Sequence, residues 1–225
     1  MSSQPADQSW MRALAGRFVV FDGPDGSGKS TQLREVMNAA RRAGVIVCDV
    51  REPGGTVVSE RIRQILLDAS LPEMSVRCEL MLYMASRAQL VSERIEPALR
   101  RGEFVLADRY VSSTLAYQGT AGGIDWEEVV RVAQAACGDR FPADLTVVFD
   151  VDQATAATRL NPLLDRMELK GAAFHERVRQ GFLEQARTWP NRYAIIDARQ
   201  PAETVTQAAL DALRRHFAAP AEASR

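Results

Sequence analysis

Gly23-Pro24-Asp25-Gly26-Ser27-Gly28-Lys29-Ser30 matches the spacing G-x-x-x-x-G-K-[ST]. The chemistry of that spacing is phosphate binding. The glycines let the backbone curl until successive N–H groups point inward at phosphate oxygens, and a helix starting at Lys29 adds its partial positive charge. Lys29 would reach the β- and γ-phosphates, and Ser30 would offer its hydroxyl to Mg²⁺. An apolar run precedes the motif and a helical pattern follows it, which is the context the motif requires. No N-K-x-D segment for reading guanine occurs, which weighs against a GTPase switch. Asp25 is out of character inside the loop, because bound phosphates repel a carboxylate. It is either a turn residue that caps a local N–H or an acceptor for a hydroxyl of a second substrate.

Further candidates stand where other apolar runs end. Arg51 opens Arg51-Glu52-Pro53-Gly54-Gly55-Thr56, where Pro53 stiffens the exit and the glycines allow close backbone approach. Arg51 points over a cleft or is a solvated loop arginine. Tyr83 and Arg87 are four apart, so on a helix they share one face, about 6 Å apart along its axis. They could address the base and phosphate of one nucleotide, or Tyr83 could be a core residue. Asp108-Arg109-Tyr110 follows a third run. Arg109 could grip phosphoryl oxygens bidentately, with Asp108 fixing it as an ion pair or holding Mg²⁺ through water. Thr114, Tyr117 and Gln118 follow as polar groups at helical spacing, able to read a base edge or a sugar.

Strand-like runs at Arg17–Asp22, Val45–Val50, Glu103–Ala107, Asp144–Asp150 and Arg192–Asp197 would carry these residues. Helical patterns fill the gaps: Lys29–Ala43, Thr56–Ala69, a long Glu73–Arg100, Asp125–Cys137 capped by Asp125 with Glu128 in the capping-box position, and a final helix from Pro201 to His216. Continuous apolar strands alternating with helices indicate a mostly parallel sheet covered on both faces. Ligands of such folds sit beyond the carboxyl ends of the strands, where Gly23, Arg51, Asp108 and Asp197 fall. Residues 1–16, with a small Trp10/Met11/Leu14 cluster, read as a loose extension, 17–217 as one domain, and 218–225 as a tail.

Composition narrows the class. The chain has 225 residues, 46% hydrophobic and 25% charged, with a formal net charge of −1. A chain this long buries roughly 70% of its extended surface, enough for a core without disulfides. A balanced charge gives no overall attraction to nucleic acid or anionic membrane. Of 28 basic residues only Lys29 and Lys170 are lysines, so the lysine in the phosphate loop is not a surface-filling choice. Cys48, Cys78 and Cys137 have no ligand-like spacing and read as small buried hydrophobes. Two histidines, His175 and His216, make a histidine metal site improbable. No secretion signal or membrane span is read, and a cytoplasmic location is expected.

Together the segments FDGPDGSGKST, REPGGT, ASRAQLV, DRYVSSTLAYQG, PADLTVVFD and AFHERVRQGF, in that order, resemble the thymidylate kinases of the bacterial type. The resemblance runs from about Arg17 to His216. It implies a P-loop NTPase-like α/β fold, a three-layer sandwich with a five-stranded parallel sheet flanked by helices on both faces and a short lid. It also implies a homodimer, and transfer of the γ-phosphate of Mg·ATP to dTMP. By that resemblance Gly23 to Thr31 bind ATP, and Lys29 and Ser30 serve ATP and Mg²⁺. Asp25 accepts the 3′-hydroxyl of dTMP and helps place the metal, Tyr83 stacks on thymine, and Arg51, Arg87 and Arg109 grip the dTMP phosphate. Thr114 reads the base, Tyr117 stands against the 2′ side of the sugar, and Gln118 is a further contact. Gly26 occupies the place where some relatives carry an arginine in the loop. The lid, about Arg159 to Gly171, is poor in arginine and retains Arg159, Arg166 and Lys170; Arg159 is read as the phosphate finger and Arg166 as a lid group, both counted as catalytic with Lys29, Arg109 and Asp25. The competing readings are a kinase for another nucleoside monophosphate and a catalytically silent nucleotide-binding protein.

Overall fold

The computed structural model describes residues 9–159 and 165–218. Five parallel strands, β1 (Phe18–Asp22), β2 (Val47–Arg51), β3 (Phe104–Asp108), β4 (Leu145–Asp150) and β5 (Tyr193–Asp197), form one sheet in the order β2-β3-β1-β4-β5. The helices between them are α1 (Lys29–Arg42), α2 (Val57–Leu67), α3 (Val76–Leu90), α4 (Glu96–Arg100), α5 (Val111–Thr114), α6 (Trp126–Cys137), α7 (Gln153–Ala157), α8 (Ala172–Thr188) and α9 (Ala202–Phe217). Each expected strand is present, trimmed by one or two residues at its start. The chain leaves β1 toward β2 on one side and later crosses to β4 on the other. The sheet therefore has its topological switch point at the carboxyl end of β1, where a crevice opens.

β1 shows why the strands are continuous apolar runs. Val19 and Phe21 point into a core cluster with α1 and α9, while Phe18 and Val20 point into a second cluster with α3, α4 and α6. With helices on both faces, neither set of side chains can be polar. Phe21 is fully buried, edge-on to Phe149 at 5.0 Å, and its truncation to alanine would cost about 3–5 kcal/mol.

Several expectations are corrected. Ser9–Leu14 is not loose: it is a 3₁₀ turn whose Met11 and Leu14 are fully buried in the α1/α9 core. The long helix begins at Val76, where Ser75 caps it by accepting from the Cys78 N–H, and it runs to Arg100 through a π turn at Val91–Ile95. Asp125 does cap α6, accepting from the Glu127 N–H. Glu128 makes no capping box, because its carboxylate is taken by Arg77 of α3. Cys48 and Cys137 are buried but Cys78 is exposed on the first turn of α3. A second π turn, Leu115–Thr120, directly extends α5. Such widened turns re-aim side chains, often at functional sites, and this one carries Tyr117 and Gln118.

Candidate functional site

The phosphate loop bridges β1 and α1 as its sequence requires. Gly23 has φ 136°, and a Cβ there would stand 2.5 Å from the Phe149 carbonyl oxygen. Gly26 has φ 75°, and a Cβ would stand 2.5 Å from the Ala156 carbonyl oxygen. The loop as folded has no room for a side chain at either place. Gly28 caps α1 with no side-chain hydrogen bond, leaving backbone N–H groups of the first turn for an anion. Lys29 is buried, and its Nζ donates to the carbonyls of Gly23 (3.1 Å) and Pro24 (2.9 Å) and to Ser27 Oγ (3.3 Å). Burial and the neighbouring Arg109 push its ammonium down to about 8, against the pull of Asp25, Asp108 and Asp22.

Two clefts meet at this loop. One, about 320 Å³, is lined by Gly26, Gly28, Lys29, Thr31 and Arg159, among others. The other, about 390 Å³, is walled by Arg51, Arg63, Tyr83, Arg87, Thr114 and Gln118, among others. Asp25, Ser30, Asp108 and Arg109 border both. Two anionic ligands, one per cleft, would therefore face each other across those four residues.

Arg109 is the hinge of the arrangement. It has φ 68°, the one positive-φ residue other than glycine among the described residues, a backbone state that costs of order 1–3 kcal/mol and persists only where the surroundings enforce it. The enforcement is visible. Its N–H donates to the Phe21 carbonyl at 3.0 Å, and its guanidinium donates to Asp22, the Gly23 carbonyl, Ser113 and Asp25. Of the two readings of Asp108, the ion pair with Arg109 does not form. Asp22, fully buried, takes that place and also accepts from the hydroxyls of Ser112 (2.6 Å) and Ser113 (2.8 Å), so Asp108 is left at the shared rim. Asp25 is no mere turn residue: Arg109 holds one oxygen, and the Tyr117 hydroxyl donates to the other at 2.7 Å. Burial opposes the carboxylate, but Arg109, Lys29 and Tyr117 outweigh it and hold it down to about 2.

Arg51, Arg87 and Arg109 of the second cleft each have a resident carboxylate. Arg87, 1% exposed, is paired with Glu52 (Nε–Oε2 2.7 Å) and donates from Nη1 to Thr114 Oγ1 at 3.1 Å. Glu52 Oε1 is buried and finds no donor among the described residues; burial pushes this carboxyl up, which Arg87 only partly offsets. Arg51 is half-exposed and bonded to Glu60 at 2.9 Å. Tyr83 is partly buried on the cleft wall, so of its two readings the cleft-facing one matches its place. Arg159 lies over the phosphate loop and donates to the Ala198 carbonyl at 2.9 Å.

Arg166 is a correction. It is 5% exposed, borders neither cleft, and is held by the Leu66 carbonyl (2.8 Å) and Glu79 (2.6 Å). It anchors the end of the lid instead of reaching over the phosphates. Lid residues 160–164 lie outside the described residues. Sequence reasoning missed Arg63, whose Nη1 donates to the Pro53 carbonyl at 2.7 Å. The signal was present: Thr56, Ser59, Glu60 and Arg63 recur at helical spacing, which turns one polar face of α2 toward the REPGGT loop. Glu52 and Glu79 were also missed, because nothing local in the sequence marks a buried carboxylate.

Comparison with known proteins agrees with this geometry. Residues 21–209 match the family model "Thymidylate kinase". A thymidylate kinase of Lactobacillus delbrueckii subsp. bulgaricus is 39% identical over 211 residues, covering 91% of this chain and 98% of that protein. One from Pseudomonas savastanoi pv. phaseolicola is 45% identical over 203 residues, covering 89% and 95%. The crystal structure of thymidylate kinase from Ehrlichia chaffeensis superimposes with a TM-score of 0.72 at 28% identity, over 89% of this chain and 99% of that one.

Proposed function

Since the chain belongs to the thymidylate kinase family, we propose that it transfers the γ-phosphate of ATP to dTMP, giving ADP and dTDP. The observation that carries this reading is the shared border of the two clefts at Asp25, Ser30, Asp108 and Arg109. ATP lies over the phosphate loop with its γ-phosphate at that border. The dTMP phosphate reaches it from the other cleft, held by Arg51, Arg87 and Arg109.

The phosphate of dTMP is already anionic, so no general base is needed. One of its oxygens attacks the γ-phosphorus as the bond to the β–γ bridging oxygen breaks, and ADP leaves. Phosphoryl transfer of this kind depends on alignment and on positive charge around a loosely bonded phosphoryl group. Lys29 and Arg109 supply that charge at fixed positions, with Arg159 closing over the nucleotide. Thr114 and Gln118 read the base and Tyr83 stacks on it. Tyr117, pinned through its hydroxyl to Asp25, walls the 2′ side of the sugar and disfavours ribonucleotides. Asp25 keeps lone pairs for the 3′-hydroxyl, since each of its oxygens has one partner.

The residues present fit Mg²⁺. Ser30 and Asp108 are oxygen donors at the shared border, whereas no group of three or more His, Cys, Asp or Glu among the described residues makes a protein cage for a metal. That pattern suits an ion bound mainly by substrate phosphates and water. When bound, Mg²⁺ neutralises charge on the β- and γ-phosphates. Asp25 is already engaged by Arg109 and Tyr117 and would act only in an outer role.

A homodimer is supported by Val57, Val58 and Ile65 on α2 and Met81 on α3, which are 45–79% exposed although large and apolar and would be covered by a second copy. No helix among the described residues is long and apolar enough to cross a membrane, and a cytoplasmic site of action is part of the proposal. The test is ADP formation from Mg·ATP with dTMP, dUMP, dCMP, dGMP or dAMP as acceptor. The expected result is turnover highest with dTMP. ATP binding without acceptor-dependent turnover would reject the reading.

A further inference from the structure

Glu79 is used by no step above, yet it is 1% exposed and bonded on three sides. Its Oε1 accepts from Arg166 Nη1 and Lys170 Nζ, both at 2.6 Å, and its Oε2 accepts from Gln118 Nε2 at 3.0 Å. A buried carboxylate facing two cations would be ionised. The direction of its shift agrees: burial raises it, but hydrogen bonds from Lys170, Arg166 and Gln118 hold it below the ordinary range. Lys170, the second of the chain's two lysines, thereby acquires a place, with its ammonium also 5.0 Å from the Phe174 ring.

Two consequences follow from bonding chemistry. An ionised carboxylate only accepts, so it must face the NH₂ end of the Gln118 amide. The amide oxygen of Gln118 is left as the group offered to the cleft that Gln118 lines. An acceptor there favours a base edge carrying an N–H, as thymine and uracil do at N3, and opposes cytosine, whose N3 is a lone pair. Meanwhile Arg166 and Lys170 tie the lid's end to the same carboxylate, and the residues between and beside them, Asp165, Met167 and Glu168, form the facing wall of the cleft. The wall is stiffened locally, since Asp165 accepts from the N–H groups of Met167 and Glu168.

We propose that Glu79 is the positioning residue that fixes the Gln118 amide with its oxygen toward the base and anchors the end of the lid, so that base selection and lid placement are set at one carboxylate. The inference rests on the thymidylate kinase reading given above.

The test uses the full-length chain, with Glu79→Gln and Lys170→Met. In Glu79→Gln the new amide can donate as well as accept, so Gln118 is no longer forced into one orientation. The ratio of kcat/KM for dTMP to that for dCMP is expected to fall at least tenfold in Glu79→Gln and to stay within about twofold in Lys170→Met. Amide hydrogen exchange over residues 165–171 supplies a readout independent of turnover. In the unmodified protein, dTMP should slow that exchange while 2-deoxyribose 5-phosphate, which lacks the base, should not. Lys170→Met should remove the slowing by dTMP. An unchanged ratio in a folded Glu79→Gln protein overturns the proposal. So does equal slowing by dTMP in Lys170→Met and the unmodified protein, a result that decides the matter even where Glu79→Gln does not fold. Unmodified protein that turns over dTMP while either result occurs rejects this inference alone, whereas absence of dTMP turnover in the unmodified protein rejects the functional reading and this with it.

Discussion

The two halves of the cleft are built on opposite plans. The half over the phosphate loop is one contiguous stretch, Gly23 to Thr31, in which backbone geometry makes the site and a single lysine rests on carbonyl groups. The acceptor half is gathered from α2, α3, α5 and the lid, and arginines in and beside it are held by carboxylates, Arg87 by Glu52, Arg51 by Glu60 and, just outside the cleft, Arg166 by Glu79, while Arg63 rests on the Pro53 carbonyl. A loop can be preset by glycines and a helix terminus. Guanidinium groups collected from distant segments repel one another and need resident anions to stay in place before a substrate phosphate arrives. Arg109 joins the two plans, its backbone strained at the end of β3 and its side chain spread over Asp22 and Asp25.

If that contrast is right, damage to the acceptor half should appear first as instability. Arg87→Leu leaves Glu52 buried and unpaired and should destabilise the fold by about 3–5 kcal/mol; adding Glu52→Leu should recover much of the loss, as read by urea denaturation. Two additive losses would break the comparison. In the loop half, Lys29→Ala should lower kcat by about 10²–10³, roughly 2.7–4 kcal/mol of transition-state stabilisation, with little change in melting temperature. Near-normal turnover in that variant would remove Lys29 from its role.

The pH response sharpens the same point. Lys29 in the free protein is charged below about 8 and loses its proton above it, and phosphate binding favours the charged form. Affinity for ATP should therefore be level from pH 7 to about 8 and weaken as pH rises further. Lys29→Met should lack that break in a titration of nucleotide affinity. Asp25, held near 2, stays ionised throughout this range and contributes no such step. The smallest effect is expected at Arg51. Its pair with Glu60 is half-exposed and worth about 0–1 kcal/mol, so Arg51→Ala should barely move stability while raising KM for dTMP.

How far these features can be read from the chain follows the same division. The phosphate loop was legible because its function needs consecutive residues, and so were the strands, whose two-sided burial makes them continuous apolar runs. The places of Arg51, Arg87, Arg109, Thr114, Tyr117 and Gln118 were legible through their segments. Their partners were not. Glu52 meets Arg87 across 35 positions, Glu79 meets Arg166 across 87, and Asp22 meets Arg109 across 87, separations at which no periodicity or spacing signals a pair. Asp108 beside Arg109 is instructive, because the sequence left open whether it pairs with Arg109 or holds Mg²⁺ through water. Adjacency suggested an ion pair, but the left-handed turn at Arg109 swings its side chain away to Asp22 and Asp25.

Transfer straight from one substrate to the other at the common border is best tested by the stereochemistry at phosphorus. With ATP made chiral at the γ-phosphate by oxygen isotopes and dTMP as acceptor, a single in-line displacement predicts inverted configuration in the β-phosphate of dTDP. Retention would mean an even number of displacements through a phosphorylated protein group, and would contradict an arrangement in which the two phosphates face each other across Asp25, Ser30, Asp108 and Arg109.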